Sequence, residues 1–239
     1  MKPNDCAKLE IPVRPATIGA FLCLLGLCYQ AHELGHHLFG AIVCGKAGTV
    51  DFSTYMAADG CARVPDLTTE LFGPAISFAI AYGAALRLRR RASLFAFGCI
   101  FASYYHLRWV PPLMGGGDEL DVARKLGFDN GWIIAALSFV TALPPMVIAW
   151  RAAAVRGRWW RVGLTYLLPL PFLLQVDALA DRISGPGALI PALALVKAFN
   201  ISASLLLADI ILLIGFALMA ARICWLHGGR VRGSTPDQV

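Results

Sequence analysis

The sequence predicts an all-α polytopic membrane protein, with about six transmembrane helices and a short β-hairpin after the first. Three observations carry this. The chain of 239 residues is 58% hydrophobic and only 15% charged, with a mean hydropathy of +0.64. A soluble domain carries roughly a quarter charged residues. The apolar residues gather into blocks near the ~20 residues that a helical span needs. Basic residues cluster between those blocks in an alternating pattern, as topology signals do. The net charge of +6 therefore points to a lipid bilayer and not to nucleic acid.

The blocks run in order. The first span is predicted near Thr17–Val43, the second near Leu71–Leu86, and the third near Ala92–Leu113. The fourth is predicted near Trp132–Trp150, the fifth near Val162–Leu179, and the sixth near Ser202–Trp225. Ala188–Phe199 is apolar but too short to cross alone, and reads as an interfacial or re-entrant piece or an extension of the last helix. Residues 1–239 form one integral membrane domain in this reading. Its core is about 17–127, its C-terminal helices 132–225, and Gly228–Val239 is a disordered tail.

Charge orients the spans. One set of connections carries Lys2, Lys8 and Arg14, then Arg87 and Arg89–Arg91, then Arg151, Arg156, Arg158 and Arg161, then Arg222, Arg230 and Arg232. The opposite connections carry only Lys46, Arg63, Arg124, Lys125 and Arg182. Both termini are then expected in the cytoplasm. The first apolar block has no small-residue cleavage site after it and reads as a retained span. With no organelle signal, the chain suits a bacterial inner membrane.

Between the first two spans, Val50, Phe52 and Thr54 alternate with polar Asp51 and Ser53. Asp59-Gly60 is a strong turn signal, so Thr49–Met56 and Cys61–Val64 are expected as the arms of a hairpin around Ala57–Gly60. Of the seven cysteines, Cys23, Cys28 and Cys99 read as small core residues. Cys44 and Cys61 flank this loop and can form a disulfide if it faces an oxidising space.

The chemistry lies in His32-Glu33-Leu34-Gly35-His36, inside the first span. Residues i and i+4 share a helix face, so two imidazoles can bind one Zn²⁺, and the intervening Glu can act as general base toward water. Ionisable groups are costly in hydrocarbon and mark function by default. A catalytic zinc takes three protein ligands and leaves one position open. The third is sought in Gly115-Gly116-Gly117-Asp118-Glu119-Leu120-Asp121, where Pro111 and Pro112 end the third span. Unwound backbone at this depth is tolerated where it lines a protein cavity. His32 lies about 23 Å along its span, toward the end that Asp118 also follows. Asp118 is the first candidate, with Glu119 and Asp121 as alternatives.

His32-Glu33-Leu34-Gly35-His36-His37 resembles the first signature of the site-2 protease type of intramembrane zinc metalloprotease. Phe72-Gly73-Pro74-Ala75-Ile76-Ser77 resembles that family's Gly-Pro at the start of a later helix, with Ser77 where an Asn is often found. Gly-Gly-Asp-Glu stands where the family has Asp-Gly. The resemblance covers roughly Leu22–Gly127. It implies a zinc-dependent endopeptidase acting on membrane-embedded or membrane-adjacent proteins, with Glu33 catalytic, His32, His36 and a later Asp holding Zn²⁺, and the hairpin receiving substrate as an added strand. Family sites lie nearer the cytoplasmic face, whereas the charge pattern here places this one nearer the outside.

Other polar residues have plainer readings. His37 points off the ligand face. His106 and Arg108 read as an interfacial belt, with His106 also able to support the ligands. Asp209 pairs with Lys197 or makes a bundle contact, and Asp177 and Gln175 are similar. Two rival functions remain open. A non-proteolytic metal-binding membrane protein would bind zinc without cleaving. A transporter-like bundle would use His32, Glu33 and Asp209 along a polar path and hold no tight metal.

Overall fold

The computed structural model describes residues 9–50, 55–56, 60–61, 63–171, 197–198 and 201–231. Helix α1 runs over Pro15–Cys44. Pro15 suits its first turn, because its missing N–H would have no helical partner there. The helix stops at Gly45, whose φ of 65° is left-handed. Two short strands follow, β1 (Thr49–Val50) and β2 (Tyr55–Met56). Then come α2 (Arg63–Arg90), α3 (Leu94–Ala102), a 3₁₀ turn (Tyr105–Leu107), α4 (Val110–Leu113) and α5 (Asp118–Lys125). Helices α6 (Gly131–Ala152) and α7 (Arg158–Leu167) lead to β3 (Lys197–Ala198), β4 (Ile201–Ser202) and α8 (Ala203–Val231).

The described chain is mainly helical. Three of its helical stretches are long and apolar enough to cross a membrane: α1, Leu67–Arg90 of α2, and α6. Within α8, Leu207–Ala221 is a shorter apolar stretch.

The expected third span is not one helix. Ser93 accepts from the Ala96 amide to start α3, and the helix ends after nine residues at Ser103, whose hydroxyl donates to the Ile100 carbonyl. Tyr104 then takes a left-handed φ of 63°. At about 1.5 Å per residue, α3 covers less than half of a ~30 Å hydrocarbon core. From Ala96 to Ala102 it is apolar on every face because it is buried on every face, with Phe97, Ile100, Phe101 and Ala102 almost fully enclosed, while Phe95 at its start is exposed. With Leu24 and Leu25 of α1 and Ala149 of α6 they form the main core.

The connection after α1 also differs from expectation. Pairing occurs within the first expected arm, Thr49 with Met56 and Val50 with Tyr55, antiparallel. The expected second arm is helical from Arg63 onward. Pro65 fixes φ in the first turn of a helix and supplies no ladder donor, so it favours this outcome. β4 adds parallel to β1, and β3 pairs antiparallel with β4, giving the order β2-β1-β4-β3. Cys44 and Cys61 do form a disulfide, with Cα atoms 5.2 Å apart.

The last helix continues to Val231, so Gly228–Val231 is helical rather than part of a tail. Residues 172–179 of the fifth expected span, with Asp177 and Gln175 among them, and most of Ala188–Phe199 lie outside the described residues.

Candidate metal centre

Helices α1 and α2 lie side by side, and their contacts form a ladder. Cys44 joins Cys61 at one end. Next, Phe39 stacks on Phe72, ring centroids 4.0 Å apart and nearly parallel. Gly35 then faces Ile76, whose Cδ1 would lie 2.5 Å from a Cβ at that position. His36 follows: its Nδ1 lies 2.8 Å from the Thr69 carbonyl oxygen. A carbonyl only accepts, so Nδ1 carries the proton, and in the neutral ring Nε2 keeps its lone pair. Gly73 is required here because a Cβ would land on the His36 imidazole. Last, His32 Nδ1 lies 3.1 Å from Ser77 Oγ. Thr69, Gly73 and Ser77 recur every four residues, so they form one stripe on α2 facing His36 and His32. Pro74 sits inside α2, where it removes a helical donor and opens the local turn.

The third group arrives from the break after α3. Gly117 adopts a φ of 96°, and a Cβ there would meet Pro111 Cβ at 2.9 Å. Helix α5 therefore starts abruptly, with Asp118 at its first position. Asp118 Oδ2 lies 3.1 Å from His32 Nε2 and 3.7 Å from His36 Nε2. The two Nε2 atoms are 3.2 Å apart. Among the described residues, His32, His36 and Asp118 form a group able to hold a metal ion, with one ligand atom from each.

The donor set fits a cation. Two imidazole nitrogens and a carboxylate oxygen converge, and their outer nitrogens are held by a carbonyl and a hydroxyl, as metal-ligating histidines are. Contacts this short between ring nitrogens and a carboxylate oxygen are held by shared protons or by a metal ion, with the Arg108 charge alongside. A tetrahedral ion with bonds of about 2.0–2.1 Å requires ligand edges of about 3.3–3.4 Å. The observed edges bracket that value.

The alternative carboxylates are engaged elsewhere. Glu119 makes a two-pronged pair with Arg108, Nε to Oε1 at 2.8 Å and Nη2 to Oε2 at 2.6 Å. Asp121 faces Arg124 at 3.6 Å and is half exposed. Arg108 Nη2 also lies 2.6 Å from Asp118 Oδ2. Burial pushes the Asp118 carboxyl up. Its contacts to His32 and His36 and the Arg108 charge outweigh that and hold it well below the usual carboxylate range.

Glu33 is buried on α1 beside the ligands, at 6% exposure. His37 is also buried and is not in the metal group. His106 is not an interfacial residue: it is 1% exposed, Nε2 donates to the Tyr166 carbonyl at 3.0 Å, and its ring meets Phe101 and Tyr166 edge-on. Its role is to pin α7 to the broken segment. Asp209 lies on α8 outside the metal group, with Oδ1 buried and without a hydrogen bond among the described residues. The side chain of Lys197 is not described.

Arg108 is the residue that sequence reasoning misplaced. Its signal was present, as an Arg inside an apolar segment ten residues before the carboxylate that it holds. Compared with known proteins, the chain matches no protein-family model, no curated protein and no solved structure.

Proposed function

We propose that this protein is an intramembrane zinc metallopeptidase that hydrolyses peptide bonds of membrane-embedded or membrane-adjacent proteins. One observation carries the reading. Two histidines, on a helix long and apolar enough to span a bilayer, converge with an aspartate of α5 at the ligand spacing of a small tetrahedral ion. His32, His36 and Asp118 would hold Zn²⁺. Bound there, the ion supplies Lewis acidity toward the scissile carbonyl and makes water acidic enough to attack near neutral pH.

Glu33 takes the proton of the attacking water and hands it to the departing amine nitrogen. The Thr69 carbonyl keeps His36 in the tautomer that presents Nε2, and Ser77 Oγ orients the His32 ring. A helical substrate must unwind before its carbonyl can be reached. Strand addition would receive it in extended form. β1 is flanked on both sides, so the open edge at this end of the small sheet is that of β2.

The Cys44–Cys61 disulfide supports a non-cytoplasmic face for this end of α1, because disulfides persist in oxidising compartments. That agrees with cytoplasmic termini and a multi-pass chain in a bacterial inner membrane.

The test compares wild type with Glu33→Gln in cells, reading new protein N-termini in the membrane fraction by mass spectrometry and zinc in the purified proteins. Both proteins should retain zinc. Cleavage events should fall about 10²-fold or more in the variant. Identical N-termini with equal zinc would sink the peptidase reading and favour a non-proteolytic metal protein. A well-folded wild type without zinc would favour the transporter-like bundle.

A further inference from the structure

A cavity of about 120 Å³ lies directly beside the metal group and shares His32 with it. Cys28, Tyr29, Ser103, Tyr104 and Arg108 line it further. The break after α3 creates this space, because Ser103 and Tyr104 end the helix there and turn the chain toward Arg108. The cavity is thus walled by the α1 face that carries the first ligand and by the segment that delivers the third.

Arg108 has donors to spare. Its side chain is 13% exposed. Nε and Nη2 make all three of its hydrogen bonds, to Asp118 and Glu119. The other terminal nitrogen, Nη1, has no acceptor among the described residues. A guanidinium carries five N–H groups in a fixed fork, so holding the two carboxylates leaves the Nη1 pair available on a largely desolvated group. A residue needed only for ion pairing has no use for a cavity against it. A residue that also meets a ligand does.

We propose that the cavity receives the acyl side of the scissile peptide, and that Arg108 Nη1 donates to its carbonyl oxygen. This rests on the metallopeptidase reading above. As water attacks, a C–O bond forms at the carbonyl carbon and the π pair moves onto the carbonyl oxygen. Arg108 meets that developing negative charge, while the water proton passes to Glu33. The pair then returns to re-form the carbonyl, the C–N bond breaks, and Glu33 delivers the proton to the amine nitrogen. Donors placed where charge develops act most strongly in a water-poor site. The same guanidinium thus holds the third ligand with one edge and the reacting oxygen with the other.

The probe is acetohydroxamic acid, a small chelator that presents a carbonyl oxygen and a short acyl group at a metal. It is titrated into the full-length, detergent-purified, Co²⁺-loaded protein and followed by the visible cobalt spectrum. Cobalt content is measured in parallel. Arg108→Lys keeps a positive charge near Asp118 and Glu119 but removes Nη1. Cys28→Phe fills the cavity from the α1 wall and leaves Arg108 itself unchanged.

Both variants should keep their cobalt and bind the hydroxamate about tenfold more weakly, Arg108→Lys by losing one charge-assisted hydrogen bond and Cys28→Phe by excluding the acyl group. Wild-type binding in a cobalt-loaded Arg108→Lys would overturn the proposal. So would wild-type binding in Cys28→Phe alone, since the ligand would then lie outside the cavity. If Arg108→Lys sheds its cobalt, Cys28→Phe decides: weakened binding supports the cavity, and unchanged binding leaves Arg108 as a structural ion pair only. A wild type that takes up no cobalt fails the metallopeptidase reading instead, and is distinguishable from all of these.

Discussion

The two halves of α1 are built on opposite principles. In the N-terminal half, small residues let α8 approach through apolar contacts. Gly19 faces Met219, Cys23 faces Gly215, and Gly26 faces Leu212. In the C-terminal half, apolar contacts such as Phe39 on Phe72 are joined by directional ones: Ser77 and Thr69 of α2 to His32 and His36, and Cys61, just before α2, to Cys44. An apolar seam tolerates small shifts, because its dispersion contacts are many and individually weak. The polar ladder does not, since each ring has one productive orientation. A single helix therefore carries a compliant half and a stiff half, and the metal group sits in the stiff one.

The largest expected effect tests whether the stiff half is a metal cage. His36→Ala removes one ligand of three and should reduce zinc in the purified protein from a full complement to near background. The fold should survive, since the apolar seam is untouched. Full retention of zinc would show that the ladder serves only to join helices.

Gly73→Ala comes next. The added Cβ would coincide with the His36 ring, so the imidazole must leave its place or the helices must part. Ligand displacement of about 1 Å is costly, and zinc affinity should fall about 100-fold by competition with a chelator. Overpacking should lower stability by about 1–3 kcal/mol. An affinity equal to wild type would mean that α1 and α2 yield as easily here as α1 and α8 do.

Ser77→Ala is a gentler probe of the same stripe. It leaves His32 without the hydroxyl at 3.1 Å and adds no bulk. Loss of such a supporting contact costs about 10- to 100-fold in metal affinity. No change would assign the orientation of His32 to packing alone.

This contrast also explains what the sequence disclosed. Directional chemistry leaves a spacing. His32 and His36 are readable as i, i+4, and Asp118 is readable because glycines and prolines must precede an abrupt turn toward the first helix. The Cys44–Cys61 pairing was readable from its position around one loop. Apolar content leaves only a length, and length misled. Ala92–Leu113 is as apolar as a span, yet α3 is a half-helix buried in protein from Ala96 to Ala102, and a buried segment and a lipid-facing one have the same composition. Asp59-Gly60 marked a turn, but Arg63 onward is helical, because a local turn signal does not say which element follows. Arg108 was discounted for the same reason. Its partners are ten and eleven residues away across a broken backbone, a distance that no helical or strand period encodes.

The smallest expected effect tests the compliant half. At Gly26 an added Cβ would meet Leu212 Cδ1 at 2.7 Å, a severe overlap on paper. The atom met is the tip of a flexible side chain facing an apolar seam, and a rotamer change can clear it. Gly26→Ala should therefore cost at most about 1 kcal/mol, at the low end for overpacking, in thermal unfolding of the detergent-solubilised protein. Gly26 lies six residues before His32, about 9 Å along the helix, and helix rigidity alone could carry a shift that far. If zinc affinity holds while stability dips, the two halves are mechanically separate, and the cage is positioned by α2 and α5. If affinity falls with stability, the α8 seam also positions the ligands, and the division of α1 into two halves fails.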